Sequence, residues 1–392
     1  MVEFDTSKIG YSLKLDGKYY NTLDIEGFSH MLKDPSYCYK FYWLEAIVQL
    51  IAEGVKETTF DAVIDEMICN AWYSVHEFHI HLSGMPIDGQ VKDGLERAVS
   101  ILSEFSNLPA NASKVEIKNA IKEYASELKS SKEQLTNMVP YRALAGFFDK
   151  AEEPAEWGSV RRMTEYIERI NQHVVVLPYT LGTGSKLKKE IYFQPSWTKM
   201  IQDNTVSILG WIQYEKVKWL QNNNPEVPGL VYKLAPMDEK MRKLNHVRKL
   251  WEGVLNLTEV RDVFTGEVVT PKKYDVDHFI PWSFVMNDEL WNLMPMDSLL
   301  NLAKSNKLPK WDPFFERFAK NQYLLYGFIH EKPRIHKLFE GCYRDNLHSI
   351  WAGRELYCKG NSREQFYNIL QKNMQPVYDS ARRQGYEVWN RG

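Results

Sequence analysis

The chain has 392 residues, 44% of them hydrophobic and 26% charged. That is the composition of a folded globular protein with room for two or three domains, and it excludes collagen-like, low-complexity and wholly disordered classes. The net charge of −2 hides a gradient: −8 over residues 1–100, −1 over 101–170 and +7 over 171–392. An acidic front and a basic back point to a polyanion partner for the second half. No apolar run reaches the length of a membrane span. The opening MVEFDTSKIG has no basic stretch followed by an apolar core, so no secretory signal is expected. Cys38, Cys69, Cys342 and Cys358 form no C-x-x-C pair, which predicts neither a disulfide framework nor structural zinc. The expected address is the cytoplasm.

In chain order, GYSLKLDGKYY alternates loosely and predicts a short hairpin near residues 10–20. Residues 39–53 carry Phe41, Leu44, Ile47, Val48 and Ile51 at three-to-four spacing, the mark of an amphipathic helix. Residues 60–73 repeat it through Val63, Ile64, Met67, Ile68 and Trp72. Further helices are predicted over 88–104 and 113–129, with linkers at 105–112 and 149–158. HVVVLPYTL and KEIYFQPSW read as two strands joined by GTGSKLK, followed by a helix from 197 to 221. After the break NNNPEVPG, residues 236–255 predict a basic helix containing Lys240, Arg242, Lys243, His246, Arg248 and Lys249. Beyond Pro313 the chain reads as helical and aromatic-rich, more suited to a core than to base stacking. The expected organisation is a helical domain over 1–150, an α+β connection over 151–235, a small β-containing module over 236–312 with its leading basic helix, and a helical region over 313–392. The fold class is α+β, mostly α-helical.

The small module carries the chemistry. VFTGEVV predicts a hairpin bent at Thr-Gly, residues 274–280 a strand that Pro281 terminates, and residues 291–294 a second strand. Asp297 is a good N-cap for a helix through SLLNLAK. Asp277 and Asn301 offer oxygen donors suited to a hard cation, Mg²⁺ or Mn²⁺. His278 titrates near neutrality when unperturbed and can take a proton from water. Asn301 and Lys304 are three apart on one helical face, where the lysine can meet a phosphate as a point charge. Lys307, Lys272, Lys273, Arg248 and Lys249 join Lys304 as candidate DNA contacts.

The string D-V-D-H-F-I-P-W-S-F-V-x-x-D-x-L-W-N-L-x-P, followed by N-x-x-K-S-N-K-L-P, resembles the HNH endonuclease family. It is closest to the variant with Asn in the final position, as in the HNH domain of CRISPR RNA-guided effector nucleases. The resemblance covers about 50 residues and implies a ββα-metal fold and hydrolysis of DNA phosphodiester bonds, double-stranded DNA being the expected substrate. It implies His278 as general base, Asp277 and Asn301 as metal ligands, and Asn292 as a brace of the loop. It does not extend to a whole RNA-guided effector. Cysteine pairs that hold zinc in many relatives are missing, so Phe264, Phe279, Trp282, Phe284, Trp291 and Leu293 are expected to stabilise the module. More loosely, the layout is similar to bacterial HNH proteins of restriction and phage defence. The acidic front could dock another subunit such as an ATPase, and an oligomer is possible. The competing reading is a degenerate module that binds nucleic acid without cutting it.

Two further motifs carry less. HEFHIH (76–81) does not spell H-E-x-x-H and reads as histidines that end a helix. Gly182-Thr183-Gly184-Ser185-Lys186 is too short for a phosphate-binding P-loop and reads as a turn, with Lys186, Lys188 and Lys189 available to a DNA backbone.

Overall fold

A computed structural model describes residues 13, 15, 17–33, 35–84, 93–148, 159–173, 176–235, 242–271 and 273–390. The chain divides into two compact units, residues 1–225 and 226–392. Both are mainly helical with small sheets, the α+β class expected from the sequence.

In the first unit, α1 (Tyr39–Ala52) is buried along nearly its whole length, with Phe41, Trp43, Leu44, Ile47, Val48 and Ile51 in the core. It packs against α2 (Phe60–Phe78), which starts where Thr59 accepts from Ala62 N and ends where His79 turns left-handed. Between them lies β1 (Glu57–Thr59). Helices α3 (Gly94–Ser106), α4 (Lys114–Glu123) and α5 (Ala125–Leu135) complete this bundle. The single helix expected over 113–129 is therefore two. Ser113 opens the first with a reciprocal capping box to Glu116, and Tyr124 leaves helical geometry between them. After α6 (Val160–His173), β2 (Tyr179–Leu181) and β3 (Glu190–Phe193) form the expected hairpin. Its turn places Gly184 at φ +85°. β1 pairs antiparallel with the other edge of β3, giving the order β1-β3-β2. Three residues are too few to show a period, so this strand left no trace in the sequence pattern.

The helix expected over 197–221 is also two, α7 (Pro195–Asp203) and α8 (Thr205–Asn223). They part at Asn204, whose side-chain amide turns back onto the Met200 carbonyl (2.8 Å), an alternative to continuing the helix. Of the hairpin expected near residues 10–20, most lies outside the described residues; the described Gly17–Tyr19 is a 3₁₀ turn. The linker expected over 149–158 also lies outside them.

The second unit begins with a 3₁₀ turn, Leu230–Lys233. Helix α9 (Asn245–Leu255) replaces the expected 236–255 helix in its described part. Residues 242–244 are not helical, because the Lys243 amide donates to the Asp288 carboxylate (2.6 Å) instead of to a carbonyl one turn back. Then come β4 (Tyr274–His278), β5 (Leu293–Asp297) and α10 (Ser298–Lys304). Next are β6 (Leu308–Pro309), α11 (Trp311–Glu331) and α12 (Pro333–Glu340), followed by α13 (Arg363–Arg383) and β7 (Val388–Trp389), which pairs parallel with β6. One hydrophobic core joins α9, both strands of the β4–β5 pair and the C-terminal helices. Phe279 is fully buried against Phe318 (ring centroids 4.7 Å), and Trp311 stacks on Phe315 (4.3 Å). Phe264, Phe284, Trp291 and Leu293 are buried in the same core and Trp282 half-buried, so aromatic packing fills this module. The C-terminal aromatics Phe314, Phe315, Phe318 and Tyr326 are core residues, as expected.

Candidate active site

The site grows from the pairing of β4 with β5, antiparallel with Tyr274 opposite Asp297 and His278 opposite Leu293. The preceding hairpin is organised by Asp262. Its Oδ1 accepts from Phe264 N and Thr265 N, and its Oδ2 accepts from Asp297 N (3.3 Å), tying the turn to the end of β5. Asp297 then caps α10 through Leu299 N and Leu300 N, as its position predicts. The result is a strand, a long loop, a second strand and a helix.

Asn292 decides where β4 ends. Phe279 N donates to the Asn292 carbonyl (2.8 Å), Ile280 N donates to Asn292 Oδ1 (2.8 Å) and Asn292 Nδ2 donates to Ile280 O (2.8 Å). A side-chain amide thus pairs like a strand backbone, just before Pro281, which has no N–H. The strand expected over 274–280 is therefore regular only to His278. The second strand starts at Leu293, because residues 290–292 are used in the turn that presents Asn292.

Asp277 and His278 take different partners. The Lys304 ammonium, fully buried, stands 2.9 Å from Asp277 Oδ2 and donates to the His278 carbonyl (2.8 Å). Lys304 is therefore not a surface cation; it pins α10 to the end of β4. Asp277 Oδ2 is buried without an aligned hydrogen bond despite that ion pair. Asn301 is half-buried one turn before Lys304 on α10 and shares its side of the helix.

The His278 imidazole runs the other way, into the 287–288 loop. Its Nε2 lies 3.1 Å from the Asn287 carbonyl and 3.1 Å from Asp288 Oδ1, while Nδ1 lies 3.3 Å from Arg242 Nη2. Two oxygen acceptors at Nε2 place the proton there, leaving Nδ1 as the lone pair that accepts from arginine. Burial pushes the His278 pKa down, outweighing the opposite pull of Asp288 and Asp277, so the ring is neutral at physiological pH. Asp288 is itself partly desolvated, which pushes its carboxyl up. His278, the Lys243 amide and Arg242 outweigh this and hold it below the usual carboxylate range.

Asp288 and Arg242 are the functional candidates that sequence reasoning passed over. Asp288 stood in the recognised string, four residues before Asn292, without a role. Arg242 was one of several basic residues in a predicted helix, and no local pattern marks which of them reaches His278.

The remaining candidates scatter. Arg248 donates to the Tyr274 carbonyl (3.2 Å) and lies 3.7 Å from Asp275, against the outer end of β4. Lys249 and Lys273 are exposed, and Lys307 is ion-paired with Glu387 (3.1 Å). Lys272 lies outside the described residues. In the first unit, His76 pairs with Ser103 (2.6 Å), His81 with Glu96 (2.8 Å) and Lys186 with Glu133 (2.6 Å), so each has a structural partner.

Among the described residues no three His, Cys, Asp or Glu side chains converge as a metal cluster, and no helix is long and apolar enough to cross a membrane. The donors at hand still fit a hard divalent cation. The Asp277 carboxylate, with an oxygen lacking an aligned hydrogen bond, and the Asn301 carboxamide, on the Lys304 side of α10, are oxygen ligands of the kind Mg²⁺ takes from protein while keeping several waters.

The family model described as HNH endonuclease matches residues 262–310, from the Asp262 turn through β4, β5 and α10 to β6. Residues 262–310 are an HNH module, and such modules are in general nucleases. No curated protein and no solved structure matches the chain.

Proposed function

We propose that the second unit is a divalent-metal-dependent endonuclease that hydrolyses DNA phosphodiester bonds. The observation that supports this best is the neutral, buried His278. Its Nε2 is committed to the Asn287 carbonyl, which leaves Nδ1, facing Arg242, as the nitrogen with a lone pair. A base with an unprotonated nitrogen at working pH needs no further activation to accept a proton from water. That water attacks phosphorus as it loses the proton to Nδ1, and the bond to the departing sugar oxygen breaks.

Asp277 and Asn301 are the residues that would hold a divalent cation, which when bound supplies positive charge to the scissile phosphate. Lys304 holds the Asp277 carboxylate in place and keeps a positive charge beside it. Asn292 fixes the path of the chain from His278 to Pro281, so the imidazole cannot drift with the loop. Exposed Lys249, Lys273 and Lys310 on the same unit suit a phosphate backbone. A single site cuts one strand, so a double-strand break requires a second copy, a partner or a second encounter. A role in bacterial defence against foreign DNA is the biological setting we infer from the sequence layout.

The test is nicking of supercoiled plasmid by the full chain with Mg²⁺. Cleavage silenced by chelator and by His278→Ala supports the assignment. Cleavage that survives His278→Ala removes the base. Salt-sensitive DNA binding that persists in chelator, with no cleavage under Mg²⁺ or Mn²⁺, favours a module that binds only.

A further inference from the structure

The geometry points to Arg242 as a substrate-phosphate ligand that, before DNA arrives, is parked on the catalytic lone pair of His278. This rests on the reading of His278 as the base and adds how that base is kept from acting without substrate.

Four observations converge. The imidazole has one lone pair left for chemistry, because Nε2 carries its proton toward Asn287 O and Asp288. That lone pair, on Nδ1, is occupied by an N–H of Arg242 at 3.3 Å. The guanidinium is only loosely anchored: its Nε is 3.9 Å from Asp288 Oδ1, its face lies over the Trp282 ring at 5.5 Å, and 41% of its side chain is exposed. Asp288, the nearest carboxylate, meets the guanidinium only at that long distance, because its Oδ2 is taken by the Lys243 amide (2.6 Å) and its Oδ1 lies 3.1 Å from His278 Nε2. Arginine is thus held by one bond to a ring nitrogen and one long ion pair.

A phosphodiester is the stronger partner. Guanidinium binds a phosphate through two parallel charge-assisted hydrogen bonds, against a single bond to a neutral imidazole. Binding of DNA at the end of β4 therefore draws Arg242 off Nδ1 and frees the lone pair when the scissile phosphate is there to be attacked. Arg242 precedes α9, and the backbone beside it is held at Lys243, whose amide donates to Asp288, whose carbonyl accepts from Asn346 and whose ammonium pairs with Asp345 (3.1 Å), so the guanidinium moves by turning its own side chain while α9 stays folded.

The experiment compares the full chain with Arg242→Gln and Arg242→Lys. Binding of a short duplex is measured by anisotropy in chelator over a salt series, cleavage by plasmid nicking with Mg²⁺, and the His278 ring nitrogens by ¹⁵N NMR of histidine-labelled protein. Loss of one charge-assisted contact predicts about tenfold weaker binding and a raised KM for Arg242→Gln. The salt slope should fall by about one. Arg242→Lys keeps the charge and recovers the salt slope. In the wild type, adding duplex moves the Nδ1 resonance toward its position in free Arg242→Gln. An unchanged KM and salt slope, a fall in kcat alone, or an Nδ1 signal indifferent to DNA each overturns the proposal. The binding and ¹⁵N measurements decide Arg242 even for a protein that does not cleave, whereas loss of the endonuclease reading shows separately, as cleavage that ignores His278→Ala or is missing altogether.

Discussion

Each unit holds a lysine and a carboxylate that are both enclosed, Lys216 with Glu45 and Lys304 with Asp277, and the two pairs are built differently. In the first unit Lys216 meets Glu45 at 2.8 Å with both side chains almost fully enclosed, 3% and 5% exposed. The other Glu45 oxygen accepts from Gln213, and the ammonium also lies over the Tyr42 ring (4.6 Å). Both oxygens of the Glu45 carboxylate thus have a donor, which is the condition for a buried ion pair to be tolerated. In the second unit Lys304 meets Asp277 at 2.9 Å, with 1% and 12% exposed, yet Asp277 Oδ2 has no aligned donor. A completed pair is scaffolding. An incomplete one, at the end of a strand, is where we propose that a second cation binds.

That contrast is open to attack by mutation. The largest expected effect is catalytic: His278→Ala should lower plasmid nicking by about a thousandfold, within the range for loss of a general base, measured at a temperature where circular dichroism shows the variant folded. Unchanged nicking would mean that the imidazole beside the incomplete pair does no chemistry. Next, Lys216→Met and Lys304→Met each strand a buried carboxylate and should each cost about 3 kcal/mol in denaturant unfolding. Millimolar Mg²⁺ should restore stability to Lys304→Met, where the freed Asp277 gains a cation, and not to Lys216→Met. Equal responses to Mg²⁺ would erase the distinction between the pairs. Asn292→Ala removes two buried hydrogen bonds and leaves Ile280 N–H unsatisfied, a loss of about 2 kcal/mol. Nicking should fall with it, because the His278–Pro281 path is no longer held.

A last prediction concerns another buried lysine and is read as a dependence on pH. Lys233 donates to the Phe284 carbonyl (2.6 Å), and burial lowers its pKa to about 7. Its folded value lies below its unfolded one, so between pH 7 and the ordinary lysine range the unfolded chain holds the extra proton. Stability of the second unit should therefore climb as pH rises from 7 toward 10 and be insensitive to Lys233 below 7. Lys233→Met should flatten that climb in thermal melts taken at a series of pH values.

Local signals were legible where local chemistry sets structure. Asp297 was readable as a cap because a carboxylate one residue before a helix satisfies amides that nothing else reaches. Pro281 was readable as a limit on β4 because it lacks a donor, although the regular strand already stops at His278. The helical faces of α1 and α2 were readable because burial repeats with the turn of the helix. The break at Tyr124 and the three-residue strand β1 were not readable. The first has no residue that forbids a helix, and the second exists only because β3, more than 130 residues later, offers it an edge.

The candidate site divides in the same way. Asp277, His278, Asn292, Asn301 and Lys304 stood out by type and order, since a ββα unit must place its polar residues at set positions along two strands and a helix. Contacts across 36 residues from Arg242 to His278, across 45 from Lys243 to Asp288 and across 27 from Asp277 to Lys304 were decided by tertiary structure alone. The reason is physical: residue type and spacing determine what a segment can present, while the protonation state of an imidazole, the burial of an ammonium and the choice of its partner depend on what the rest of the chain packs against it.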